Sequence, residues 1–147
     1  MSMTQYQDTG EATQTELGHD TVQRVVLEMP ATPAYVALSR LTIAALANRA
    51  ELDQEVVADL KVAVTEACSL FIEAGDVPRE AAAIRVEFEV GEDRWTISVI
   101  GPLAEHGLVG AGDQAGLALV VIQALADDVE TRTDGLTGII RFGRAVR

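Results

Sequence analysis

The chain has 147 residues, a length typical of one domain, and 48% of them are hydrophobic, enough to form a core without metals or disulfides. Eleven Lys and Arg against 23 Asp and Glu give a net charge of −12. This charge excludes the basic face that binds nucleic acid non-specifically or adheres to an anionic membrane. The single cysteine, Cys68, excludes a disulfide within the chain and is typical of a reducing compartment.

The N-terminus lacks the basic segment and apolar run of a signal peptide. The longest apolar stretch, around Gly116–Ala126, is much shorter than a membrane span. We therefore expect a cytoplasmic protein that contacts neither a membrane nor nucleic acid directly.

Residues 1–20 form a polar segment with four acidic residues and no Lys or Arg, so it carries −4 of the −12 charges. We predict that this acidic tail is disordered and that the folded domain spans residues 21–147.

The first elements alternate between strand and helix patterns. Thr21–Met29 reads as a strand that Pro30 ends. A helix follows to about Arg49, with Thr32 as its N-cap and Pro33 at its first position. The longest helix is predicted over Asp53–Ala74, because its apolar residues recur on one face.

The second half predicts two hairpins around one helix. Ile84–Val90 and Trp95–Ile100 alternate apolar and polar residues and form the first hairpin. A glycine-rich loop, an apolar helix and a hairpin with an Asp-Gly turn follow, over Gly101–Asp113, Gln114–Ala126, Val129–Thr133 and Thr137–Arg144. Strands paired by hairpins, with helices between them, predict an α+β two-layer sandwich.

Two segments carry a resemblance to a known family. Asp59–Ser69 reads DLKVAVTEACS, close to D-[IL]-K-x-A-V-[ST]-E-A-[CV]-[ST]-N-A, and Gly116–Val129 reads GLALVVIQALADDV, close to a G-[LM]-G helix that ends in M-D-E-V. Both are similar to bacterial anti-sigma factor serine kinases of the GHKL superfamily, which includes histidine kinases, gyrase and Hsp90. The resemblance implies the histidine-kinase-like ATPase (Bergerat) sandwich, with a mixed, mostly antiparallel sheet and about three helices on one face.

The resemblance also implies a set of nucleotide-site positions. The motif Glu is Glu66, which in the family acts on the attacking hydroxyl or water and is the candidate catalytic residue. The family's Mg²⁺-binding Asn falls on Leu70, and its adenine-binding strand-end Asp falls on or beside Gly101. The phosphate-binding G-x-G becomes Gly116 and Ala118 with Leu117 between them.

These departures favour a site that no longer uses ATP and Mg²⁺. Leu70 has no lone pair, whereas Mg²⁺ demands oxygen ligands. We therefore expect no cofactor and no metal. If ATP binding is retained, its residues are Glu66, Gly101, Gly116 and Ala118. The simpler interpretation of Glu66 is a partly exposed helix carboxylate. Cys68 is expected in the core, and the isolated His19 and His106 do not make a metal site.

The family's partner surface includes an arginine on the first helix, and the resemblance assigns that role to Arg40, with Arg49 as an alternative. Arginine suits the role because its planar fork pairs bidentately with a carboxylate. The alternative is a solvated arginine that pairs locally. The resemblance further implies a sigma factor and an anti-anti-sigma (STAS) protein as partners, and a homodimer.

Three functions follow from these observations. The first is an anti-sigma-factor-like regulator that sequesters a stress- or development-type sigma factor and is controlled by an anti-anti-sigma partner. The second is an active serine/threonine protein kinase that phosphorylates a STAS antagonist. The third is a scaffold that keeps the fold for another partner. The lost metal ligand favours the first.

Overall fold

The computed structural model describes residues 22–74, 82–103 and 113–147. Its elements, in chain order, are β1 (Gln23–Pro30), α1 (Pro33–Ala50), α2 (Gln54–Ala74), β2 (Ala83–Val90), β3 (Arg94–Pro102), α3 (Asp113–Leu125), β4 (Asp128–Asp134) and β5 (Thr137–Ala145). The predicted tail, Gly75, His106 and most of the glycine-rich loop lie outside the described residues.

The five strands form one sheet in the order β1-β2-β3-β5-β4. All four pairings are antiparallel, so the expected mixed, mostly antiparallel sheet has no parallel pair among the described strands. α2 packs against β3 and lies between α1 and α3. The expected α+β two-layer fold is confirmed.

The core lies between the helices and the inner face of the sheet. Because side chains alternate along a strand, every second residue of the three central strands points inward. The largest of the fully buried side chains are Trp95, Phe71, Phe88, Phe142, Ile43, Leu60, Ile84 and Ile97. This core fixes α2 over the middle of the sheet.

The element ends follow local rules with two differences. Thr32 is the N-cap of α1 and Pro33 follows it, but the Thr32 side chain makes no capping hydrogen bond. The last hairpin turns through Gly135 and Leu136, since Asp134 still pairs with Thr137. Gly135 has a φ of 66°, which fits a glycine at the first central position of a type II′ turn. The predicted Asp-Gly turn is therefore shifted by one residue.

Within the described ranges, no helix is both long and apolar enough to cross a membrane.

Candidate functional site

The residues that the resemblance assigns to a nucleotide site lie on α2, at the end of β3 and at the start of α3. Leu70, at the metal-ligand position, is only 3% exposed and belongs to the hydrophobic core. An apolar side chain there offers no oxygen to a cation. In the part of the chain that the structure describes, no group of three or more His, Cys, Asp or Glu side chains could hold a metal ion. Leu70 therefore leaves its position without the oxygen ligand that the resemblance assigns to Mg²⁺.

The position of the strand-end carboxylate is filled by a neighbouring ring. Gly101 is buried, and a Cβ built on it would lie 2.6 Å from Cγ of Phe71. Gly138 of β5, which pairs with Gly101 of β3, is crowded in the same way. A Cβ built on Gly138 would lie 3.0 Å from Cε1 of Phe71 and 2.7 Å from Cδ2 of Leu103. No side chain fits at position 101 while Phe71 keeps this place, so position 101 itself cannot hold a carboxylate.

The other positions of the predicted nucleotide site are less constrained. Glu66 is half-buried, and its carboxylate makes no hydrogen bond or ion pair with the described side chains. Gly116 is exposed with open space where a Cβ would be, whereas Ala118 is 5% exposed and packs in the core. The structure thus retains the motif glutamate and one glycine and places the second motif position inside the protein.

Arg144 of β5 is the partner of the aspartate with which the long-helix motif begins in this chain. Its Nη1 donates to Oδ2 of Asp59 at 2.8 Å and to the carbonyl oxygen of Leu125 at 2.7 Å. The contact joins α2 to the C-terminal end of α3 and satisfies a terminal carbonyl of that helix. The motif aspartate therefore has a structural role that sequence reasoning missed.

The acidic pair that ends the second motif is also structural. Asp128 Oδ2 accepts from Arg94 at 2.6 Å, and its Oδ1 accepts from the backbone N–H of Gly143 at 3.1 Å. The Asp127 carboxylate accepts from the backbone N–H of Ala145. These contacts fix the turn between α3 and β4 against the adjoining strands.

The proposed partner arginines differ in their surroundings. Arg40 is half-buried and donates to Oγ1 of Thr65 at 3.2 Å, so its guanidinium is held between α1 and α2. Arg49 is exposed in the last turn of α1. Beside Arg40, Cys68 is fully buried as expected, and burial raises the pKa of its thiol to about 12. A thiol in this state is a core residue rather than a nucleophile.

The outer face of the sheet carries most of the paired charges. The strand register places five arginines there, at Arg24, Arg85, Arg94, Arg132 and Arg141, and six acidic residues, at Glu28, Glu87, Glu89, Asp128, Glu130 and Asp134. Glu87 accepts from Arg85 at 2.7 Å and pairs with Arg24 at 2.9 Å. These contacts lower the pKa of Glu87, the Arg85 hydrogen bond being the largest cause.

Sequence reasoning identified Leu70 and Gly101 as departures but missed Phe71. The available signal was the motif itself, which continues from Asn to Ala where this chain has Leu70 and Phe71. A change from a small to a large side chain beside a strand glycine indicates that the ring fills space at that strand.

A family model described as "Histidine kinase-like ATPase domain" matches residues 29–143. The serine-protein kinase RsbW of Listeria innocua is 32% identical over 131 residues, covering 76% of this chain and 80% of that protein. The serine-protein kinase RsbW of Bacillus pumilus is 31% identical over 133 residues, covering 79% of this chain and 82% of that protein.

Among solved structures, the chain is similar to the crystal structure of the RsbU and RsbW domains of Rv1364c from Mycobacterium tuberculosis. The TM-score is 0.64 at 16% identity, and the match covers 85% of this chain and 33% of that chain. At this identity, the likeness supports the fold.

Proposed function

Because the chain belongs to the histidine kinase-like ATPase domain family, among the relatives of the RsbW serine-protein kinases, we propose that it is an anti-sigma-factor-like regulator. In this proposal it binds and sequesters an RNA polymerase sigma factor in the cytoplasm, and an anti-anti-sigma (STAS) partner controls its release. Binding by surface complementarity needs no phosphate transfer, so the function survives without a working nucleotide site.

One observation carries the proposal, namely the packing of α2 against the end of β3. Leu70 is buried where the family has its metal ligand, and Phe71 fills the space beside Gly101. ATP carries several negative charges that a metal ordinarily neutralises. Without that metal, a chain of net charge −12 is poorly suited to gather phosphates.

Calorimetric titration with purified sigma factors tests the proposal. We expect one of them to bind with the same affinity whether ATP–Mg²⁺ is present or omitted. A STAS protein should compete for this binding without becoming phosphorylated. If the chain binds none of the organism's sigma factors, the proposal is wrong.

A second candidate is an active serine/threonine protein kinase acting on a STAS antagonist. Its support is the retained Glu66, together with relatives that are themselves named serine-protein kinases. Transfer of labelled phosphate from ATP to a STAS protein, abolished by Glu66→Gln, would favour this function over the first. Equal labelling with Glu66→Gln would instead point to a contaminating kinase.

The outer face of the sheet supports a homodimer. Five arginines nearly balance six acidic residues on this face although the chain as a whole is strongly acidic, so a second copy meets opposite charges there. The same face has a cavity of about 130 Å³, which leaves space for side chains of a second copy. The cavity is lined by Glu87, Ser98, Ile100, Glu130, Arg132, Ile139 and Arg141. Light scattering should give twice the chain mass, and Arg141→Glu should give the monomer. A wild-type monomer at high concentration would contradict the dimer.

A further inference from the structure

The surface of α3 that faces away from the core is apolar. Leu117 and Val120 are 65% and 59% exposed, and Ala124 is exposed as well. Their spacing of three and four residues places them on one side of the helix, opposite the buried Ala118 and Ile122. We call Leu117, Val120 and Ala124 the outer strip of α3. A surface helix normally presents polar side chains there, whereas these neighbouring side chains form a contiguous apolar patch, the kind of surface that interaction sites expose.

Glu66 of α2 lies level with the start of this strip. Arg144 contacts both Asp59 and the carbonyl of Leu125, so these two residues lie at the same level of the packed helices. Glu66 lies seven residues after Asp59 along α2, which is a distance of about 10 Å. The same distance back from Leu125 along α3 reaches Leu117 and Ala118. A carboxylate without a partner among the described side chains thus lies level with the start of the strip.

We infer that the outer strip of α3 docks an amphipathic helix of a basic partner, with a Lys or Arg of that helix facing Glu66. The inference deepens the proposed function, on which it rests, by naming the surface and the chemistry of the partner segment. Apolar anchors at helical spacing are matched by the apolar face of another helix.

Charge decides between the possible occupants. A second copy docked through the same strip would bring together two chains that each have a net charge of −12, and like charges oppose such an interface. The chain's net charge of −12 disfavours nucleic acid and anionic membranes. A partner helix that combines an apolar stripe with positive charge satisfies both the strip and Glu66.

The experiment uses the full chain and a fluorescent 18-residue helical peptide with leucines at positions i, i+3, i+4 and i+7 and lysines elsewhere. A second peptide has Glu in place of each Lys. Fluorescence anisotropy measures binding to the wild type, to Leu117→Gln/Val120→Gln and to Glu66→Gln. The matched control is Val22→Gln, since Val22 is an exposed apolar residue beside Gly91, at the turn between β2 and β3.

We expect the lysine peptide to bind the wild type and the control variant equally, and the strip variant on the order of tenfold or more weakly. The glutamate peptide should not bind, and Glu66→Gln should reduce the salt dependence of lysine-peptide binding. Equal binding to the strip variant, or no binding to the wild type, would overturn the inference.

Binding measurements with a sigma factor in place of the peptide separate this inference from the proposed function. If a sigma factor binds the wild type and the strip variant equally, the docking surface is wrong and the proposed function stands. If no sigma factor binds while the lysine peptide distinguishes the variants as expected, the docking surface stands and its partner is another basic protein.

Discussion

Phe71 of α2 lies so close to Gly101 of β3 that a Cβ on Gly101 would be 2.6 Å from the ring carbon Cγ. The contact joins the long helix to the end of the central strand and leaves no space for a side chain there. This crowding accounts for glycine rather than a larger residue at that position.

Gly101→Ala should lower the free energy of unfolding by about 1–3 kcal/mol, because the added methyl group overpacks the contact with Phe71. The loss should be smaller in a Phe71→Ala background, where the ring is gone, although Phe71→Ala itself costs about 3–5 kcal/mol. Denaturant unfolding followed by the fluorescence of Trp95, the single tryptophan and 1% exposed, measures both.

Gly116→Ala is the matched control for this pair. Gly116 lies in α3 with nothing within 4 Å of a built Cβ, so alanine should stabilise the helix by about 0.5–1 kcal/mol. Equal effects of alanine at positions 101 and 116 would show that crowding by Phe71 is not the cause.

ATP–Mg²⁺ at millimolar concentration should leave the Tm of the wild type unchanged, because a ligand stabilises a protein only if the folded state binds it. Leu70→Asn should lower the Tm, since it buries an amide at a position that is 3% exposed, and should still give no ATP response while Phe71 fills the neighbouring space. Differential scanning fluorimetry measures each variant with ATP, ADP and no nucleotide. A rise of several degrees for the wild type would mean that the site binds nucleotide.

Arg144→Ala should destabilise the fold by about 1–3 kcal/mol, because it removes the ion pair to Asp59 and the hydrogen bond to the Leu125 carbonyl. The side chains of Arg144 and Asp59 are 21% and 24% exposed, which limits screening by water. Arg24→Ala, whose arginine is 55% exposed, should cost less than about 1 kcal/mol by comparison. Similar losses for both variants in urea titrations would argue against this difference in burial.

Acid should destabilise the protein partly through Glu87. Its pKa is lowered in the folded state by the hydrogen bond from Arg85 and by the pairing with Arg24, so the unfolded chain takes up the proton at a higher pH. The contribution to stability is therefore complete above the unfolded pKa of about 4.3 and is lost as the pH falls through the lower folded pKa. Glu87→Gln should have a shallower decline of Tm below about pH 5 than the wild type.

The control for this pH series is Glu92→Gln in the exposed turn between β2 and β3. It should follow the wild-type curve throughout. A wild-type slope unchanged by Glu87→Gln would assign the acid sensitivity to other carboxylates.

The Cys68 thiol should react with a thiol reagent at pH 8 only when the protein unfolds. The residue is fully buried, and burial raises the pKa of its thiol to about 12, so the reactive thiolate is scarce in the folded state. Labelling in urea should follow the unfolding transition recorded by Trp95. Complete labelling of the native protein within seconds would contradict the burial.

The sequence alone determined the elements and the family. Helix and strand periods, Pro33 after Thr32 and the alternation in β2 and β3 are local features, and each element formed within a few residues of its prediction. Two motifs also sufficed to identify the family by resemblance. The departures at Leu70 and Gly101 were visible from the same resemblance.

Only the tertiary structure decided what those departures mean. Phe71 packs against Gly101 and Gly138 because α2 lies on the sheet. Arg144 contacts Asp59 for the same reason, and Arg40 contacts Thr65 because α1 packs on α2. These pairs are distant in the chain, and no periodicity links them. Their contacts depend on how helices cross and how strands are ordered, which is fixed when the whole core packs at high density.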